Sequence, residues 1–383
     1  MQIKTERQHY IDWLRVGSMF LLVFYHSGRL FDEPGWHLKN AVENQGIEIF
    51  NRVLDLWQMP MFFLVAGAAV WFSMGSRGAG AFARERVSRL LIPLIFGILV
   101  LVPPQVYLER LFDGDFSGSF WAWYPHTFQG AYSNGDASTG NFSWHHLWFL
   151  AYLFVFSMLL IPVFRYFRRE DKKPLLDKVA GFFSKKGAIL LPAIPLIIID
   201  LLLRDIYGSG NQNLVNDWAN FLFYIFVFFY GFIAVSDTRI MQAVKRHFWV
   251  ALGALAVCIF MIVIIDNTDL LPQFLMNIFW PLGTWLALLA WTGLAMRVLN
   301  FSNKLLEYAN NAVLPVYILH QTLIVSIGYF VIQWNWPVAG KYPLIVAGVF
   351  ISSLLIYEIV RRIGVTRFLF GIKARAAKKL AQP

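Results

Sequence analysis

Three ionisable residues, Asp12, Arg15 and His26, lie in the first long apolar stretch of the chain, Tyr10 to Phe31 (YIDWLRVGSMFLLVFYHSGRLF). Ionisable groups inside a membrane-spanning stretch are costly to keep there, so each is a functional-site hypothesis by default. If the stretch is helical, Arg15 and His26 are about three turns apart, facing the same way at roughly 16 Å. Asp12 then lies one turn before Arg15 on nearly the same face. Histidine is the usual general base near neutral pH. The competing readings are plainer: Asp12 and Arg15 as an ion pair anchoring the helix at the interface, and His26 as a buried core histidine.

Further along, ARERVSRLLIP carries Arg84, Arg86 and Arg89 ahead of Pro93. Arg86 and Arg89 are three apart, adjacent on a helical face, and guanidinium forks suit phosphate oxygens. A phosphate-bearing cosubstrate is one reading; the positive charge expected of any inner connection is the other. In NFSWHHLWFLAYL, His145 and His146 stand between Trp144 and Trp148. Interfacial placement is the default there, with acceptor binding by His146 and Trp148 as the alternative. NNAVLPVYILHQTLIV sets Tyr317, His320 and Gln321 in another apolar run, so His320 is a second intramembrane histidine. Asp55, Asp200 and Glu358 are further carboxylates in or near apolar runs, to which the sequence assigns no role.

No zinc signature, P-loop, Rossmann glycine pattern or Gly-x-Ser-x-Gly elbow stands in a supporting context. The single cysteine, Cys258, excludes a disulfide framework and a cysteine-ligated metal. No metal site is expected.

The elements that must position these residues follow from composition. Hydrophobic residues make up 58% of the 383 and charged residues 15%, against roughly 25% charged in soluble domains. Repeated apolar runs of 18 or more residues give an all-α, polytopic membrane protein. Ten spans are expected, at approximately 10–31, 46–74, 90–110, 144–164, 187–203, 218–236, 248–265, 272–296, 308–333 and 342–360, in one integral-membrane domain. With both termini cytoplasmic, inner segments carry 26 Lys and Arg, against 6 on the other side and its margins; this fixes the orientation. The same distribution explains the net charge of +10 without a nucleic-acid partner. Membrane lipids are the expected surroundings, with basic interfacial segments at 165–186 and after Tyr357. The first span would itself serve as the insertion signal, in a bacterial-type inner membrane. Residues 111–143, rich in Gly, Ser, Asn and aromatics and free of Lys and Arg, read either as a sugar-binding surface or as a glycine-rich interfacial loop. In the second span Pro60 would locally disturb the helix, and Ala66, Gly67, Ala68 and Ala69 read as tight helix packing.

Together, RQHYIDWLRVGSMFLLVFYHS, QMPMFFLVAGAAVWF, RERVSRLLIP, HHLWFLAYL and LPVYILHQTLIV resemble the acyltransferase 3 family of integral-membrane acyltransferases. The similarity is greatest to its glucan-biosynthesis C-type branch. The most specific points are the arginine, ten residues and histidine of Arg15 and His26, and the Arg-x-x-Arg pair of Arg86 and Arg89. One departure is Ala66-Gly67-Ala68, where the family usually has Ser-Gly-Phe; another is the expected lack of an appended esterase-like domain.

The resemblance implies transfer of an acyl group, acetyl or succinyl, from cytosolic acyl-CoA to a hydroxyl of a carbohydrate or other envelope molecule outside. It makes His26 the catalytic residue and the arginines, with Arg84 alongside, the acyl-CoA contacts. Arg15 would hold acyl-CoA or polarise the thioester carbonyl, and Asp12 would orient Arg15. General-base catalysis and an acyl-histidine intermediate both stand. His146, His320 and Trp148 are expected near the acceptor. The rival class is a proton-coupled transporter or exporter of a sugar or glycan, with Asp12, Arg15, His26 and His320 as relay; the inverted repeats of such carriers are not evident.

Overall fold

A computed structural model describes residues 8–33, 35–75, 78–132, 140–210, 212–268 and 270–373. The basic tail beyond Lys373 and part of the loop before Trp144, 133–139, lie outside the described residues. The protein is a multi-pass all-α molecule. In chain order the helices are α1 (His9–Gly28), α2 (Gln45–Asp55), α3 (Gln58–Met74), α4 (Ala79–Arg86), α5 (Ile92–Phe96), α6 (Pro103–Asp113), α7 (Phe120–Trp123), α8 (Trp148–Leu159) and α9 (Ile161–Phe167). They continue as α10 (Lys173–Phe183), α11 (Ala193–Tyr207), α12 (Trp218–Ala234), α13 (Thr238–Arg246), α14 (Phe248–Asn267), α15 (Met276–Val298), α16 (Lys304–Val331), α17 (Val338–Val360) and α18 (Gly364–Leu369). Extended pairing among the described residues is limited to the isolated bridges Gly130 with Gly140 and Ala131 with Phe142.

Among the described residues, six helical stretches are long and apolar enough to cross a membrane, and up to nine if each of three bent pairs is one span. The 20-residue α1, with its polar groups, is outside that set. The bends have local causes. Pro162 opens α9 after Leu160, and α8 and α9 diverge by 53°. Asp237 caps α13 by accepting from the Arg239 amide at 2.9 Å, and α13 turns 109° away from α12. The basic stretch before α11 forms α10, turned by 103°. In α13, Ile240, Met241 and Val244 are buried while Lys245 and Arg246 are exposed, the pattern of an amphipathic helix lying along an interface.

The chain forms two compact units. The first comprises residues up to 25, 45–83 and 152–310. Its centre is the contact of α3 with α12, where backbones nearly touch: a Cβ on Gly67 would fall 1.8 Å from the Phe228 carbonyl oxygen, and one on Gly231 would fall 1.9 Å from that of Leu64. Small residues permit such approach between membrane helices, so the packing expectation for Gly67 holds. One chain of polar groups here is paired throughout. Asp200 meets Arg204 at 2.7 Å, Arg204 reaches Asn220 at 2.8 Å, and Asn220 donates to Asp217 at 2.8 Å.

The second unit comprises residues 26–44, 84–151 and 311–373. Between α4 and α6 the chain is continuously helical but widens into π turns at Val87–Leu91 and Gly97–Leu101. Pro103 and Pro104 have no amide hydrogen to donate, so the carbonyls four residues earlier need other partners. The Leu99 carbonyl accepts from the Tyr124 hydroxyl at 2.9 Å. The Leu101 carbonyl is left open for a different reason, since the Gln105 amide bonds to Val102, and it accepts from Thr322 Oγ1 at 2.7 Å and from Gln105 Nε2 at 3.1 Å. The π-helical stretch is thereby tied to α16 next to His320 and Gln321.

Candidate functional site

Within the second unit, the end of α1, the middle of α16 and the start of α8 bring three histidines together. His26 Nδ1 lies 3.2 Å from His320 Nε2, with ring centroids 4.9 Å apart. The His146 ring stands edge-on to His320, centroids 5.0 Å apart. Trp36 flanks His26 at 6.3 Å. Helical spacing on α16 explains the gathering: Tyr317, His320 and Gln321 are three and four residues apart and share a face. The Tyr317 hydroxyl donates to the His146 backbone carbonyl, locking α16 to the turn before α8. His146 is buried within the protein: its Nε2 donates to the Ile318 carbonyl at 3.0 Å, and its Nδ1 is buried without a hydrogen-bond partner among the described residues. Trp148 is half-buried at the first position of α8.

A second polar cluster adjoins the first through Gln321 and was not foreseen from the sequence. Gln321 Nε2 is 3.0 Å from His37 Nε2, and His37 Nδ1 is hydrogen-bonded to Glu109. Glu109 also accepts from the Tyr132 hydroxyl and from Arg110, each at 3.1 Å. Arg110 is further spent on Asn141 and the Gly140 carbonyl, both at 3.1 Å. His37, Glu109, Arg110 and Gln321 are all at most 4% exposed, so the charges are buried but paired. His145 packs edge-on against His37 and Tyr132, ring centroids 4.6 and 4.5 Å apart, with a backbone φ of 39°. Such a left-handed conformation is uncommon outside glycine and is typical of sites fixed by their surroundings. The segment carrying His37 is held by Lys39, whose ammonium donates to the Arg29 carbonyl and to Asp32 at 2.8 and 2.7 Å. Burial pushes the Lys39 pKa down, against the opposing pull of Asp32.

The arginine stretch lies in the same unit. Arg84 is exposed and Arg86 and Arg89 are half-buried. Arg89 pairs with Glu85 at 3.6 Å, and its Nε donates to the Gly371 carbonyl at 3.3 Å. Gly371 takes a φ of +64°, available to glycine without strain. Because Val87–Leu91 is π-helical, with i to i+5 bonding, Arg86 and Arg89 are further apart in angle than an α-helical spacing implies.

Asp12 and Arg15 belong to the first unit. Arg15 contacts Asp12 at 3.0 Å, the Asn310 amide donates to the same carboxylate at 2.9 Å, and Arg15 also donates to Asn310. Asp12 therefore does engage Arg15, with Asn310 as an unanticipated third member. The other carboxylates without assigned roles have local partners: Tyr25 for Asp55 at 3.4 Å, and Arg361 for Glu358 at 2.9 Å. Among the described residues, no three His, Cys, Asp or Glu side chains converge as a metal site.

The sequence matches the family described as Acyltransferase domain over residues 8–358. The chain belongs to that acyltransferase family. It is also similar to "Glucans biosynthesis protein C" of Escherichia coli O139:H28 (strain E24377A / ETEC), 23% identical with 97% of this chain and 96% of that protein covered. The protein of the same description from Escherichia coli K12 is likewise 23% identical, over 97% and 96%. That from Escherichia coli O1:K1 / APEC is 24% identical, over 97% and 96%. No solved structure matches.

For this acyltransferase, the matched region contains every candidate site residue of the sequence, from Asp12 and Arg15 to His320. The two histidines of the apolar runs, His26 and His320, are one contact in space. The nearest sequence signal for the second cluster was the adjacent acid and base, Glu109 and Arg110, at the end of an apolar run.

Proposed function

We propose that this membrane acyltransferase moves an acetyl or succinyl group from cytosolic acyl-CoA to a hydroxyl of a cell-envelope carbohydrate. The observation that carries the reading is the His26–His320 contact, a half-buried imidazole at the end of α1 against a fully buried one in the middle of α16. His26 acts as general base on the acceptor hydroxyl. The hydroxyl oxygen attacks the thioester carbon, the carbon–sulfur bond breaks, and the proton taken up by His26 passes to the departing thiolate. The products are the ester and free coenzyme A.

Arg86 and Arg89, with Arg84 beside them, bind donor phosphates, since guanidinium groups match phosphate oxygens in charge and geometry. Arg15, held by Asp12, binds the donor or polarises its carbonyl. His146 and Trp148 belong to the acceptor side. The name of the Escherichia coli relatives supports a glucan as acceptor. The asymmetry of 26 basic residues against 6 supports ten spans with both termini in the cytoplasm of a bacterial-type inner membrane. Family membership favours this enzyme over a proton-coupled carrier.

The test is mass spectrometry of periplasmic glycans from cells with and without the protein. Acetyl or succinyl esters that depend on the protein support the reading; identical glycan masses in both strains overturn it.

A further inference from the structure

The hydrogen bonds around His320 define which nitrogen of His26 can act as a base. A neutral imidazole has one donor nitrogen and one acceptor nitrogen. His320 Nδ1 contacts the Tyr317 backbone carbonyl one helical turn earlier, and a carbonyl oxygen can only accept. In the neutral ring Nδ1 therefore carries the hydrogen, and Nε2 is an acceptor. That Nε2 faces His26 Nδ1 at 3.2 Å, so His26 Nδ1 must be the donor. The ring of His26 is left with Nε2 as its basic nitrogen.

His320 is itself held in place. It is 0% exposed, and the Tyr317 ring beside it is tied through its hydroxyl to the His146 backbone. The His146 ring packs edge-on at 5.0 Å and spends its own Nε2 hydrogen on the Ile318 carbonyl. These contacts define the direction in which His320 presents its acceptor nitrogen.

We propose that His320 is a positioning residue that fixes His26 as the Nδ1–H tautomer and aims Nε2 at the acceptor hydroxyl. This rests on the general-base reading above. When His26 Nε2 takes the hydroxyl proton, the resulting imidazolium donates from Nδ1 to His320 Nε2, which shares the positive charge until the proton moves to the thiolate sulfur. His320 does not touch either substrate in this scheme. Its acceptor nitrogen is the property that matters, and the chain Tyr317 carbonyl, His320, His26 plays the part that a carboxylate plays beside other catalytic histidines.

Two substitutions separate this from a packing role. His320→Phe keeps a ring and removes the acceptor; His320→Gln keeps an acceptor oxygen near the position of Nε2. With protein reconstituted in nanodiscs, acetyl-CoA or succinyl-CoA as donor and glucan oligosaccharides as acceptor, His320→Phe should lower kcat on the order of 10²-fold with KM unchanged. His320→Gln should recover most of that loss.

A readout independent of turnover is the ¹⁵N spectrum of histidine-labelled protein, with His26 assigned by difference against His26→Asn. The wild type and His320→Gln should show the Nδ1–H tautomer at His26, and His320→Phe should lose it. An Nε2–H tautomer in the wild type, or a His26 signal unmoved by His320→Phe, overturns the proposal. So does a folded His320→Gln protein as inactive as His320→Phe. Full turnover by His26→Ala would overturn the general-base reading, whereas the tautomer measurement judges His320 whatever that outcome.

Discussion

His26 Nδ1 and His320 Nε2 meet at 3.2 Å although 294 residues separate them in the chain. The contact joins the most specific sequence motif of the first span to an otherwise isolated histidine in the ninth. A lone histidine in an apolar run is ambiguous; two in hydrogen-bonding contact suit the proton transfer that the proposed general base requires.

Glu109 accepts from His37, Arg110 and Tyr132 while 3% exposed. Removing one partner of a buried, paired charge leaves the other unpaired, at a cost of about 3–5 kcal/mol. Glu109→Ala should therefore lower the unfolding temperature markedly, and Glu109→Gln less so. Thermal unfolding in detergent, followed by tryptophan fluorescence, checks this; an unchanged midpoint for Glu109→Ala would show that the cluster adds nothing to stability.

The contact of α3 with α12 leaves no room for a methyl group. Gly67→Ala places a Cβ 1.8 Å from a backbone oxygen, which cannot move aside without shifting the helix. Overpacking of this kind costs about 1–3 kcal/mol or more. Gly253 on α14 has open space around it, so Gly253→Ala should be neutral or slightly stabilising. Comparing the two midpoints distinguishes close packing from a general intolerance of helix substitutions.

Arg89→Ala should weaken acyl-CoA binding roughly tenfold, or about 1.4 kcal/mol, by removing a charged phosphate partner. Arg86→Lys should also weaken it, since an ammonium cannot reproduce the fork. Calorimetric titration of purified protein with acetyl-CoA measures both. Affinities equal to the wild type would remove the phosphate role from these arginines.

Much of the architecture was legible because hydropathy and the positive-inside pattern are properties of single segments. Which carbonyl a proline frees, or which way a helix axis turns, is not. The stretch around α10 read as a basic interfacial segment and that around α13 as a connection, and neither reading gave the helices turned by 103° and 109° from their neighbours, with apolar faces buried. The π turns before Pro103 were invisible because their residues look α-helical and their carbonyls are satisfied by distant Tyr124 and Thr322. In the site, His26 and His320 stood out as histidines in apolar runs. His37 did not, because it sits in a short connection and becomes significant only through Glu109, 72 residues later.

The most direct measurement of the central claim is acyl-ester content of envelope glycans in cells lacking the native protein and expressing either wild type or His26→Ala, with membrane levels of both matched by immunoblot. Loss of the base should reduce acyl transfer by roughly 10²–10⁴-fold while leaving insertion and abundance unchanged. Glycan acylation by His26→Ala at the wild-type level would contradict the account.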